Sequence, residues 1–386
     1  MLQPDVYNRC VHFMLRLFGV VSVCFLFSPY RADGQVGQSV ALAKGFGFVV
    51  PHRPELRNLV TGHSNSWHAG WQMNTRHAGH RKAWHHAYHY PLWGVEVYYA
   101  DLGNRKQLGQ QLAVHAMVKL PQFTRLIAPH RRVQLYSQWG IGAGYSDVVW
   151  DLEANPKGIA LSSALNVCLS AGYLAQVRVS DRFAVHAGIS VVHFSNGSLS
   201  VPNLGTNNLS GALGLVYHLT PMQREVSNPD THVDSTLHSF TKWTFFTAFS
   251  SGLRENLPPG GPSHFVHNLV LGAEYRWRFK TALVVRHDAS YNLSLDPLLR
   301  RNGTTEVQST DRLQGGFAFG IVRHFGRASF EASMGAYYRN RNAGDGTFYN
   351  RFALRYQVTQ GISVSLGLKT HWAKADYPEV GVMYRW

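Results

Sequence analysis

The stretch HFSNGSLSVPNLGTNN, residues 193–208, holds the residue types that acyl transfer needs. His193 and Ser195 lie two apart, which on a β-strand puts both on one face with Cβ atoms roughly 7 Å apart. An imidazole at that separation can take the hydroxyl proton and make an effective nucleophile of a weak one. The loop that follows has the Gly, Pro and Asn of tight backbone turns. Its Asn side chain and its N–H groups are donors suited to a developing oxyanion.

The segment RFAVHAGISVVHFSN must position these groups. One face carries Phe183, Val185, Ala187, Ile189 and Val191, then His193 and Ser195. The other carries Ala184, His186, Gly188, Ser190, Val192, Phe194 and Asn196. The first face is the apolar one, so the two polar residues continue a greasy stripe. In NNLSGALGLVYHL, Asn207 shares its parity with Leu209, Gly211, Leu213, Leu215 and Tyr217, which sets it beside the His–Ser pair. An unsatisfied polar group deep in lipid costs on the order of a few kcal/mol. At headgroup depth that cost falls, and a lipid substrate attacked from the membrane side would give the polar groups a use.

The rest of the chain repeats the pattern. Alternation of period two runs through pieces near 41–50, 65–73, 92–101, 110–120, 132–144, 163–178, 182–195 and 208–219. It resumes near 241–253, 264–277, 279–291, 313–325, 328–338, 349–358, 361–370 and 378–386. A soluble sandwich would hide the apolar face; a transmembrane barrel turns it outward. The barrel is preferred, because runs of roughly 9 to 14 residues cross a bilayer at a tilt and Tyr and Trp gather at strand ends. The closing VGVMYRW, with a terminal aromatic at Trp386, resembles the last strand of bacterial outer-membrane proteins. The expected fold is an all-β, antiparallel transmembrane β-barrel. Residues 220–240 are polar, contain two prolines and lack alternation, so they read as a linker. Two layouts stay open: about 16 strands in one barrel, slightly preferred, or two smaller barrels in tandem. The pieces 178–190 and 357–369 align loosely, each followed shortly by a histidine, His193 and His371.

Residues 1–34 read as a signal peptide: Arg9 and Arg16, an apolar run from Leu17 to Phe27, then small residues at Ala32 and Gly34. Its removal leaves Cys168 as the sole cysteine, so no intrachain disulfide forms. The net charge of +15 comes from scattered Lys and Arg. In an exported chain that suits an anionic membrane surface, and nucleic acid is discounted.

HFSN, PNLG and the closing strand LGLVYHL together resemble the outer-membrane lipid A 3-O-deacylases of the acyloxyacyl-hydrolase-like family. The core of the resemblance covers 41–219, with 241–386 as C-terminal barrel strands. AWHHAYHYPLWGVEVYYADLGN and KTHWAKADYPEVGVMYRW resemble longer members from Bacteroidetes-type bacteria. The resemblance implies His193 as general base, Ser195 as nucleophile, and Asn203 with Asn196 around the oxyanion. It implies lipid A or lipopolysaccharide as partner, and no cofactor. The family's third catalytic member is a glutamate, and its place falls on Asn207. An amide can hold an imidazole but brings no charge. The alternatives are therefore a slow enzyme, an acid recruited elsewhere (Glu96 or Asp101), or a catalytically silent barrel acting as a pore or structural protein. If the chain starts in the periplasm, the seventh strand runs outward and the loop 197–206 lies at the external face.

Two other clusters stand out. His77, His80, His85, His86 and His89 match no regular metal spacing and read as a solvated loop, so no metal is expected. Lys369, His371, Asp376 and Glu379 read as an interface rim and loop, with a second polar site as the alternative.

Overall fold

Among the described residues the alternating runs form sixteen antiparallel strands, and these close twice rather than once. The computed structural model describes residues 37–75, 83–123, 132–220, 240–256, 258–372 and 374–386. Residues 1–34, His77, His80 and most of the 220–240 connection lie outside the described residues. One unit holds β1 (Gly37–Val49), β2 (Ser64–Asn74), β3 (Leu92–Asp101), β4 (Gln110–Gln122), β5 (Val133–Ser146), β6 (Leu165–Arg178), β7 (Phe183–Ser195) and β8 (Thr206–His218). The other holds β9 (Trp243–Glu255), β10 (Ser263–Arg278), β11 (Thr281–Asn292), β12 (Leu313–Phe325), β13 (Ala328–Arg339), β14 (Phe348–Gln357), β15 (Ile362–His371) and β16 (Lys374–Arg385).

The single sixteen-strand layout is not adopted, because each half satisfies its own edges. β8 returns to β1, with Ser39 opposite His218 and Val49 opposite Asn208. β16 returns to β9, from Glu379 opposite Gly252 to Arg385 opposite Phe246. Such closure leaves no open edge, which is what a sheet in hydrocarbon requires. Strand limits fall near those expected. The exceptions are β1 and β16, which begin several residues early in GQSV and KADYP, where small and polar residues hide the alternation.

The side-chain distribution is that of a membrane barrel. Ile189, Leu213 and Leu215 are more than 60% exposed, while Ala184, Phe194 and Val216 on the opposite parity are 0% exposed. Phe249, Phe317, Phe319 and Val285 are likewise exposed, at 55% or more, in the second unit. The strands have 10 to 16 residues, enough to cross at a tilt. Among the described residues no helix is long and apolar enough to cross a membrane.

Each lumen is filled. In the first, Leu56, Leu59, Tyr98, Leu102, Val192 and Phe194 form an apolar cluster. In the second, charges interlock: Arg286 with Asp288 at 2.8 Å and Glu331 at 2.6 Å, Arg355 with Glu274 and Glu331, and Arg351 with Glu379. Lys369 stands over the rings of Tyr337, Tyr349 and Tyr377 at 4.9, 5.2 and 5.4 Å. The rim reading of Lys369, His371, Asp376 and Glu379 is thereby corrected. His371 meets the Tyr337 hydroxyl at 3.0 Å, and Asp376 pairs with Arg254 at 2.7 Å. Lys369, Asp376 and Glu379 are buried among partners that balance their charge. The histidine-rich stretch continues into a short helix, Ala83–Ala87, where His85 is buried. Among the described residues no group of three His, Cys, Asp or Glu is placed to hold a metal ion.

Candidate active site

The end of β7 is aimed by its inward neighbours. Phe194 is fully buried, with its ring 6.2 Å from that of Tyr98. Gly144 leaves room for it, since a Cβ there would lie 2.3 Å from Phe194 Cε1. On β8, Asn208 donates from Nδ2 to the Tyr98 hydroxyl at 2.7 Å and accepts from Ser64 Oγ at 2.6 Å. Thr206 Oγ1 accepts from Gln111 Nε2 at 2.8 Å. Because successive side chains alternate, pinning 194, 206 and 208 inward turns His193, Ser195 and Asn207 outward. All three are half-buried, on the parity of Ile189 and Leu213.

A chain of hydrogen bonds then runs along the outer wall. His193 is directly opposite Asn207 in the strand register. His193 Nδ1 donates to Asn207 Oδ1 at 2.7 Å. Asn207 Nδ2 donates to His52 Nδ1 at 2.8 Å, and His52 Nε2 donates to the Leu204 carbonyl at 3.0 Å. The directions follow from the chemistry. A carbonyl only accepts, so His52 carries its proton on Nε2 and offers a lone pair at Nδ1. The amide nitrogen therefore faces His52 and the amide oxygen faces His193. That puts the His193 proton on Nδ1 and leaves Nε2 as the bare, basic nitrogen.

The second arm holds the hydroxyl. Asn203 Nδ2 donates to Ser195 Oγ at 2.8 Å, and Asn203 Oδ1 accepts from the Asn196 backbone N–H at 3.2 Å. The Asn196 side chain is turned away, donating to Ser162 Oγ at 3.3 Å and Ser163 Oγ at 2.9 Å, so it braces the loop. Gly205 completes the wall. Its φ of +76° favours glycine, and a Cβ there would lie 2.8 Å from His193 Cε1. Its N–H donates to the Ala160 carbonyl at 2.8 Å.

The structure thus brings His193 to Asn207, and Ser195 and Asn196 to Asn203. It does not bring either acid that sequence reasoning raised as a substitute. Glu96 faces the lumen, where it accepts from His68 Nδ1 at 3.0 Å. Asp101 accepts from Arg105 at 2.7 Å and from the Gly103 N–H at 3.0 Å. Inside the barrel, Ser170, His115 and Glu96 have the residue types of a triad. However, the Ser170 hydroxyl and the carboxylate both meet the same ring nitrogen, Nε2, at 3.2 and 3.3 Å. No relay through that ring is possible. His52 was missed by sequence reasoning. Its signal was topological: closure pairs the end of β1 with the start of β8, and the Val50 N–H donates to the Asn207 carbonyl at 2.7 Å.

The loose alignment of the two halves does not extend to a second site. It sets His371 level with Val192, an inward position, and His371 indeed bonds the luminal Tyr337.

Comparison with known proteins agrees along most of the chain. Residues 67–216 match the family described as Lipid A 3-O-deacylase (PagL), and residues 241–386 match Acyloxyacyl hydrolase, C-terminal domain. No curated protein matches the chain. Among solved structures, a triple mutant of Rhodopseudomonas blastica porin is similar at 9% identity over 91% of this chain and 100% of that one, with a TM-score of 0.17. Another triple mutant of that porin reaches 12% identity over the same shares, with a TM-score of 0.18. Superpositions that weak carry no argument. The family matches do: this chain belongs to the lipid A 3-O-deacylase and acyloxyacyl hydrolase family.

Proposed function

We propose that the chain is an outer-membrane esterase that removes an acyl chain from a lipid A-like glycolipid by a Ser/His mechanism. The family and the barrel fold fit an outer-membrane protein. In this reading residues 1–34 are the export signal, 41–219 the deacylase-like region, 220–240 a periplasmic linker and 241–386 the C-terminal barrel. β7 then runs outward, and its loop meets the leaflet where lipid A resides.

His193 Nε2 takes the Ser195 proton as Oγ attacks the ester carbonyl carbon. The carbonyl electrons move to oxygen, beside the Asn203 amide that already touches Oγ at 2.8 Å. Collapse expels the sugar alkoxide, which takes the proton from His193. Water, deprotonated by the same imidazole, then cleaves the acyl-serine, releases a fatty acid and restores Ser195. The observation that carries the proposal is the outward pairing of His193 with Asn207 beside Ser195 on a lipid-facing wall. Asn207 orients the ring without charge. In a serine protease, Asn in place of the buried acid costs roughly 10⁴-fold through the wrong tautomer; here the tautomer is held and only the charge is missing, so turnover slower than with a carboxylate is expected.

Mature protein in detergent, mixed with lipid A and followed by mass spectrometry, tests this reading. Loss of one hydroxyacyl chain, abolished by Ser195→Ala, is the expected result. Lipid A left intact under all conditions would instead identify a catalytically silent barrel, the reading that the amide at 207 favours.

A further inference from the structure

We infer that His52 is a positioning residue that selects which end of the Asn207 amide faces His193, an inference that rests on the esterase reading. A carboxylate at 207 would present an acceptor whichever oxygen faced the imidazole. An amide has one accepting and one donating end of nearly the same shape. Turned the other way, it would present N–H to His193 Nδ1. The ring would then hold its proton on Nε2, and the nitrogen available to Ser195 would be a donor rather than a base.

His52 decides between the two orientations. Its Nε2–H is committed to the Leu204 carbonyl at 3.0 Å, which leaves Nδ1 able only to accept. The Asn207 amide nitrogen lies 2.8 Å from that lone pair. The other neighbour of Nδ1, the Val50 carbonyl, stands at 3.5 Å, the limit of a hydrogen bond, and as an acceptor it cannot compete. The tether from the Val50 N–H to the Asn207 carbonyl, 2.7 Å, holds the segment bearing His52 against β8. Imidazole and amide together thus set the tautomer of the base, one of the two tasks of a triad carboxylate. The other task, stabilising the imidazolium by charge, is left undone.

The test is a double-mutant cycle in full-length mature protein, measuring kcat and KM on lipid A in detergent. His52→Leu should lower kcat at least about tenfold with KM unchanged, because a wrong tautomer disables the base rather than substrate binding. His52→Asn, which keeps an acceptor at the Nδ1 position, should restore most of that loss. In the Asn207→Glu background, His52→Leu should have an effect of less than about twofold, because a carboxylate needs no selector. Equal losses in the two backgrounds, or an Asn variant no better than the Leu variant, would overturn the inference. Nitrogen-15 NMR of the ring nitrogens gives a readout independent of turnover. His193 should be protonated at Nδ1 in the parent chain and shift toward the Nε2–H form in His52→Leu. An unchanged tautomer would sink the positioning role even if lipid A were hydrolysed. A parent chain that cleaves nothing would sink the esterase reading while the spectra still decided the role of His52.

Discussion

His193 and Asn207 face each other across β7 and β8, and the imidazole Nδ1 donates to the amide oxygen over 2.7 Å. The bond fixes the ring and its tautomer, and it places no charge beside the imidazolium that a general base becomes. Rate and pH dependence should both show that difference.

Asn207→Glu should raise kcat on lipid A by about tenfold or more, part of the roughly 10⁴-fold that an acid contributes in a protease triad. In the proposed mechanism His193 must be neutral, so the rate rises with pH as the ring loses its proton. An added carboxylate favours the charged ring and raises its pKa, so the rising limb should move to higher pH in the variant. A pH–rate profile in which the limb stays in place would mean that the new carboxylate does not reach the ring.

Asn203→Ala removes the donor on Ser195 Oγ. Losing one such donor costs about 10²–10³-fold in kcat in a comparable oxyanion site. The expected loss is of that size, with KM nearly unchanged, read by the release of hydroxyacyl chains.

Gly205→Ala forces a methyl to within 2.8 Å of His193 Cε1 at a residue whose φ is +76°. The loop or the ring must shift. Activity should fall about tenfold or more, as small misplacements of reacting groups do. Strain at the residue should cost about 1 kcal/mol or more of stability. Urea titration in micelles together with turnover separates the two effects; an active variant would place the ring elsewhere.

Arg351→Leu should leave Glu379 buried without its cation and Asp288 with Arg286 alone. Breaking a buried pair from one side typically costs about 3–5 kcal/mol. The unfolding midpoint of the C-terminal barrel should drop accordingly, whereas lipid A cleavage by the N-terminal barrel should persist at temperatures where the variant is folded. The interlocked lumen should also carry no steady ion current across a planar bilayer.

Much of this architecture was visible in the residues. Period-two alternation located the strands, since inward and outward positions have opposite chemistry. The parity of Val191, His193 and Ser195 against Val192 and Phe194 gave the outward direction of the site. Closure was not visible, because alternation says which face a residue takes and not which strand pairs with the last. That blind spot left one barrel and two tandem barrels both open, and it hid His52, which reaches Asn207 only when β1 joins β8. The luminal ion network was equally hidden: Lys369, Asp376 and Glu379 look like surface charges until Arg254, Arg351 and the rings of Tyr337, Tyr349 and Tyr377 surround them.

In the esterase reading proposed above, the outward direction of Ser195 decides how a substrate arrives. A lipid already dissolved in the leaflet meets the wall by sliding sideways, in two dimensions, without leaving hydrocarbon. Encounter frequency then follows the mole fraction of substrate in the surrounding film rather than its bulk molarity. Diluting a fixed amount of substrate with inert amphiphile should slow the reaction even though nothing competes for the serine.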